Sequence, residues 1–253
     1  MLALTLPAWS PLLVAPFIGS FLGVLIQRLP NDRPVAFARS ACAACGTVLS
    51  PRDLVPVASF VLQRGLCRHC GSPIGWFYPT VELAALGVAV WSVIACQTPQ
   101  QVWIGCLLGW TLLTLGWIDA LCFLLPDLLT LPLLLCGLGV VIATAPDEAF
   151  WHALGAVCGY LGLRGVAVTY RVLRGREGLG AGDAKLLAAA GAWVGAGALP
   201  SLVLLAALTG LAWAGLAALA GRSMRATTAV PFGPFLAASF WLVWLYWPIW
   251  GLA

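Results

Sequence analysis

Eight apolar runs, each near the roughly 20 residues that cross a bilayer as a helix, recur along the chain. They lie at about residues 9–29, 80–96, 101–118, 127–144, 150–170, 184–198, 200–220 and 232–251. The pattern predicts an all-α polytopic membrane protein of about eight transmembrane helices. The sixth run is short and carries Gly191, Gly195 and Gly197, which predicts tilt or partial re-entry. No Lys or Arg precedes the first run, so it reads as a retained span and not as a cleavable signal peptide. One long polar segment, residues 30–79, separates the first two runs and is rich in Pro, Gly, Cys and Arg. The chain therefore divides into a first span (1–29), a small extramembrane loop domain (30–79) and a membrane-embedded domain of about seven helices (80–253).

Composition agrees with that division: 62% of residues are hydrophobic and 9% charged, with a mean hydropathy of +0.98. Such a chain has the bilayer as its main partner. Of the thirteen tryptophans, Trp9, Trp103, Trp117, Trp151, Trp247 and Trp250 fall near span ends, where indoles favour the interface; filling a helical core would use them equally well. The net charge of +4 is spread over several short loops and forms no single stripe, so no nucleic-acid partner is expected. Nothing in the sequence specifies an oligomeric state.

The placement of the basic residues sets a topology. If loops alternate sides, Arg28, Arg33, Arg39, Arg52, Arg64 and Arg68, then Arg164, Arg171, Arg174, Arg176 and Lys185, then Arg222 and Arg225, all fall on one side, while the opposite loops carry none. The positive-inside rule makes that side cytoplasmic. Residues 30–79 are then cytoplasmic, and both termini lie outside.

This topology puts two acids at one depth. Asp119 closes the third span in "LGWID" and Asp183 opens the sixth in "GLGAGD", both at the cytoplasmic boundary. Brought within a few ångströms, two carboxylates share a proton, and one can act as base toward water while the other hydrogen-bonds a peptide carbonyl. The competing reading makes Asp183 a helix N-cap and Asp119 a boundary residue accepting backbone hydrogen bonds. Gly180 and Gly182 permit positive φ and leave room for a substrate backbone to approach. Asp127, after Pro126, reads as a cap or supporting acid; Lys185 either pairs with a carboxylate or snorkels to the interface. Glu82 sits near the positive end of a helix, where an acid is favoured. "AVPFGPFLA" cannot begin a regular helix, so its backbone must be satisfied by protein or water, either lining a cavity or forming a kinked helix start.

Cys42, Cys45, Cys67 and Cys70 form a C-x2-C…C-x2-C constellation in the long loop, each pair followed by glycine. Four thiolates close a tetrahedral zinc site with no vacant position, which is a structural site; free or redox thiols are the alternative. His69 reads as a bystander inside a knuckle. Cys96, Cys106, Cys122, Cys136 and Cys158 lie in or beside spans, where they pack as small apolar groups.

Taken in order, "GSFLGVLIQRLP", "CAAC", "GLCRHCGSPIGWFYPTVE", "IDALCFLLPDLLTLP", "EGLGAGDAKLLAAAGAW" and "PFGPFLA" resemble the type IV prepilin peptidases, membrane aspartic proteases of the bacterial inner membrane. The resemblance implies removal of a basic leader after a glycine, at the cytoplasmic face, from type IV prepilins or type II secretion pseudopilins. It places the two catalytic aspartates on Asp119 and Asp183 and the four zinc thiols on Cys42, Cys45, Cys67 and Cys70. It further implies N-methylation of the new terminus with S-adenosylmethionine as donor. Two positions depart from the family pattern: Gly23 stands where Asn is common, and Leu121 where a second acid is usual. A peptidase without methyl transfer, a proton-coupled transporter and a non-catalytic secretion-assembly factor are the alternatives. The clustering of acids at one face and the lack of a clear inverted repeat weigh against the transporter.

Overall fold

The computed structural model describes residues 7–35, 39–175, 178, 180–221 and 229–246. Arg176, Arg222, Arg225, Trp247, Trp250 and the end of the last apolar run lie outside the described residues. Among the described residues eight α-helices follow one another: α1 (Ser10–Arg28), α2 (Ala58–Leu62), α3 (Phe77–Ala95), α4 (Pro99–Cys122), α5 (Asp127–Thr144), α6 (Ala149–Arg174), α7 (Ala181–Leu219) and α8 (Gly233–Tyr246). The only extended pairing among them is two isolated bridges, Ala41 with Val48 and Leu66 with Pro73. The all-helical expectation therefore holds. Six of the helices, all but α2 and α8, are long and apolar enough to cross a membrane. The chain clusters into two compact units, Met1–Trp110 and Thr111–Ala253.

In the first unit, α1 and α3 run antiparallel along a seam of small residues. A Cβ on Gly19 would stand 2.5 Å from the Glu82 Cα and 3.0 Å from the Ala85 Cβ, so only glycine allows this approach. One turn on, Gly23 lies against the Tyr78 ring, and the Tyr78 hydroxyl donates to Gln27 Oε1 at 2.9 Å. Ala15, Val81, Ala85 and Ala89 are fully buried. The Trp110 indole donates to the Ala85 carbonyl at 2.9 Å, which ties the first half of α4 to α3.

In the second unit, α7 accounts for two of the eight apolar runs. Its 39 residues would extend about 58 Å if straight, nearly twice a hydrocarbon thickness of about 30 Å. The run breaks at Gly195, where φ is 74° and ψ is 171°. Five residues later Pro200 removes a backbone donor and crowds the carbonyl one turn back, so a regular helix cannot continue through this point. Packing on α8 shows that the chain reverses there. Trp193, before the break, meets Trp244 at 6.0 Å between ring centroids, whereas Trp213, after it, meets Phe235 at 6.1 Å. The first arm is therefore parallel to α8 and the second returns antiparallel.

Contacts from α6 and α5 fix the first arm. Gly159 of α6 abuts the Leu187 carbonyl, where a Cβ would come within 2.6 Å, and Gly155 meets the α7 backbone at Gly191 and Gly195–Ala196, with its own Cβ position 2.7 Å from the nearest atom. Buried His152 adds a contact of 3.1 Å between Nδ1 and the Ala192 carbonyl, an acceptor in the last turn before the break. From α5, Leu133 accepts the Trp193 indole N–H at 2.8 Å while Gly137 makes room for the ring.

Candidate active site

The turn between α4 and α5, the start of α7 and the start of α8 meet at one end of the second unit, and they carry the sequence-predicted acids. Asp119 and Asp183 are both buried, at 6% relative exposure each, and close enough to interact electrostatically. Each is held by a backbone donor. Gly233 N–H donates to Asp119 Oδ2 at 2.9 Å, and Gly180 N–H donates to Asp183 Oδ2 at 3.3 Å. Asp183 is therefore not the N-cap that one reading of the sequence expected: Gly180 holds that position, and Asp183, at N3 of α7, reaches back to its N–H through one oxygen only. Its Oδ1 is buried with no hydrogen-bond partner among the described residues. A buried carboxylate oxygen left bare carries a desolvation cost of about 1–3 kcal/mol or more that a bound polar group removes.

The "PFGPF" segment supplies what the sequence could not assign. Protein satisfies its backbone at the point nearest the acid: the free N–H of Gly233 ends on Asp119, and the Phe232 carbonyl accepts from Leu236. A Cβ on Gly233 would lie 2.6 Å from Asp119 Oδ2, so the absence of a side chain is what admits the carboxylate. Gly116 of α4 lies one turn before Asp119, and its Cβ position is 3.3 Å from the Pro234 Cα. This close approach holds α8 against the helix that carries the acid.

The glycines before Asp183 behave differently from the expectation. Gly180 takes φ −69° and ψ 144°, an ordinary extended conformation, and Gly182 is not among the positive-φ glycines. The room beside Gly182 is filled by Leu125, whose Cβ would stand 2.8 Å from an added side chain. Gly182 lets the α4–α5 turn close onto α7. Leu125 was invisible as a site residue because an apolar residue in an apolar chain carries no signal.

Asp127 and Lys185 complete that closure with an ion pair between α5 and α7. Pro126, not Asp127, occupies the N-cap of α5, and no side chain caps that helix; Asp127 stands in its first turn. With side chains 54% and 34% exposed, the pair adds about 0–1 kcal/mol. Glu82 belongs to the first unit and not to the first turn of α3; its buried carboxylate accepts the Val57 N–H at 2.7 Å through Oε2.

The long loop also forms its predicted cluster. The ligand atoms of Cys42, Cys45, Cys67 and Cys70 all lie within 4.8 Å of one another, with the Cys42 and Cys70 Sγ atoms 3.9 Å apart. Four sulfurs at about 2.3 Å from a tetrahedral zinc are about 3.8 Å apart, so the cluster can hold a metal ion with small adjustment. The two knuckles repeat one geometry. Gly46 N–H returns to the Cys42 carbonyl and Gly71 N–H to the Cys67 carbonyl, both at 2.9 Å, while Cys42 and Cys67 N–H bond Thr47 and Ser72 carbonyls. Gly46 and Gly71 take φ of 70° and 69°, which explains the glycine after each pair. Backbone donors at Cys45 and Ala44 pull the Cys42 thiol down to about 6, and the Ser72 hydroxyl, 2.9 Å from the Cys70 sulfur, lowers Cys70 as well. Asp53 braces the second knuckle: it accepts from Ser50 Oγ at 2.6 Å and Ser50 N at 3.1 Å, and it pairs with Arg68 at 3.2 Å.

Comparison with known proteins places both halves. Residues 13–96 match the bacterial peptidase A24 N-terminal domain, and residues 106–215 match the type IV leader peptidase family. A Burkholderia pseudomallei (strain 1026b) protein named prepilin leader peptidase/N-methyltransferase is 40% identical over 248 residues, covering 88% of this chain and 80% of the relative. Proteins of the same name from Dickeya chrysanthemi and Pseudomonas aeruginosa are 39% and 36% identical, covering 90% and 91% of this chain and 88% and 87% of theirs. No solved structure matches.

Proposed function

Because the chain belongs to the type IV leader peptidase family, we propose that it removes the leader from prepilins or pseudopilins with Asp119 and Asp183 as the catalytic pair. The observation that carries this reading is the burial of two carboxylates from separate helices at one end of the bundle, each with one oxygen held by a backbone N–H. Such a pair retains one proton between its members. The ionised member takes a proton from water as the water oxygen attacks the scissile carbonyl carbon. The protonated member hydrogen-bonds the carbonyl oxygen and stabilises the charge that develops there. Collapse of the tetrahedral species breaks the C–N bond, and a proton passes from the pair to the leaving amine. The Gly233 and Gly180 donors hold both carboxylates against rotation throughout.

The reaction lies at the cytoplasmic face of the inner membrane in this proposal. Arg171 and Arg174 end α6 just before the turn that leads to Asp183, and that end is cytoplasmic by the positive-inside rule. Both termini are then periplasmic, and cleavage follows the glycine at the end of the leader. Zinc held by the four cysteines folds the loop domain and takes no part in the chemistry. The names of the relatives support a second activity, methylation of the new N-terminus from S-adenosylmethionine.

The test uses purified protein in detergent and a purified prepilin. Asp119→Asn and Asp183→Asn should each abolish leader removal while the protein stays folded; processing by either variant would exclude the dyad. Mass measurement of the product with and without S-adenosylmethionine reads the second activity, and an unchanged mass limits the enzyme to proteolysis.

A further inference from the structure

We propose that α2 and the residues around it form an interfacial membrane anchor, inserted into the cytoplasmic leaflet beside the start of α3, which fixes the loop domain to the bilayer. The proposal stands on depth. At about 1.5 Å per residue, α3 extends about 28 Å, close to the hydrocarbon thickness of about 30 Å, so Phe77 marks the membrane boundary. Glu82 then lies about 7 Å inside it. Its side chain leans toward that boundary and its carboxylate holds the Val57 N–H at 2.7 Å, so the chain of the loop domain lies between the boundary and the level of Glu82 when α2 begins at Ala58. A second contact fixes the other end of the segment: the Phe60 ring packs on Trp76, the N-cap of α3 at the boundary itself, at 5.1 Å between centroids.

What faces outward at this depth is apolar. Leu62 is 82% exposed, Val61 64% and Trp76 74%. In water such a cluster is costly; beside a lipid-facing helix it is the expected composition of a buried anchor. Arg64 follows α2 and is exposed, a cation placed to snorkel to anionic headgroups.

The backbone obeys the same constraint. A segment that enters lipid must satisfy its own polar groups. N–H of Ala58, Ser59, Val61, Gln63, Arg64, Gly65 and Leu66 all end on carbonyls between Val55 and Gln63, Val57 ends on Glu82, and Pro56 has no N–H. Val57 itself has φ 57° and ψ −51°, the strained γ-turn conformation closed by the Ala58 N–H on the Pro56 carbonyl, which a β-branched residue adopts only under external restraint. Buried Glu82 supplies that restraint, which gives it a role as the attachment point of the loop domain.

Benzoylphenylalanine placed by amber suppression at Leu62 tests this in proteoliposomes of phosphatidylethanolamine and phosphatidylglycerol. Irradiation should give phospholipid adducts at a yield comparable to the same probe at lipid-facing Leu83 and several-fold above Ala43 in the first knuckle. A chain-to-chain adduct, an adduct with added prepilin that replaces the lipid adduct, or a yield no higher than at Ala43 would overturn the proposal. A second measurement needs no substitution: a membrane-partitioned diazirine should label the peptide containing residues 58–62 of the unmodified protein, and absence of label there alongside labelled α3 overturns it equally.

Discussion

Replacing Gly233 by alanine separates the placement of Asp119 from its presence. The new Cβ would stand 2.6, 2.7 and 2.8 Å from Oδ2, Cγ and Cβ of Asp119. Carbon contacts are comfortable at about 3.5–4.0 Å, so the carboxylate must withdraw by about 1 Å. That withdrawal breaks the 2.9 Å bond from the Gly233 N–H. A hydrogen bond to a charged group contributes about 1.5–3 kcal/mol, or about 10- to 150-fold in rate. A misplacement of about 1 Å costs about 100-fold by itself. Gly233→Ala should therefore lower kcat by about two orders of magnitude with little change in KM, because the substrate's distant contacts are untouched. Time courses of prepilin cleavage in detergent, followed by mass spectrometry, give both constants. Gly139→Ala on α5 is the control, since its Cβ would meet nothing within 4 Å. A kcat for Gly233→Ala equal to that of the control, in a folded protein, would refute the idea that this donor positions Asp119.

Three further outcomes are expected. Metal analysis of the purified protein should give about one zinc per chain, and Cys42→Ser should lose it, since three thiolates no longer close the tetrahedron. The Ser50 hydroxyl and N–H, with Arg68, hold Asp53 below the ordinary carboxylate range, so its contribution is complete above that range and is lost as pH falls through the depressed value; hydrogen exchange of residues 50–70 should rise on acidification, and less so in Asp53→Asn. Gly159→Leu should lower the thermal midpoint in detergent sharply, because its Cβ meets the Leu187 carbonyl at 2.6 Å, whereas Gly162→Leu on the same helix should be tolerated, with nothing within 4 Å; overpacking at the first site costs about 1–3 kcal/mol.

Much of this protein was legible as a string. Hydropathy alone located every long helix, because a spanning segment must be both apolar and self-satisfied in its hydrogen bonds. The cysteine spacing located the metal cluster, since a knuckle is a local turn whose glycine is dictated by φ. The acids stood out because a charge in an apolar chain is costly enough to need a reason. What sequence could not supply was partnership at a distance. Gly233 is separated from Asp119 by 114 positions, and Asp127 from Lys185 by 58, so neither contact has a local signature. The reversal at Gly195, Leu125 in the space beside Gly182 and Val57 held by Glu82 are likewise products of packing, which selects among many locally acceptable conformations. Local chemistry sets which residues are unusual in their surroundings; only the folded bundle decides which of them meet, because that choice depends on shapes brought together from different helices.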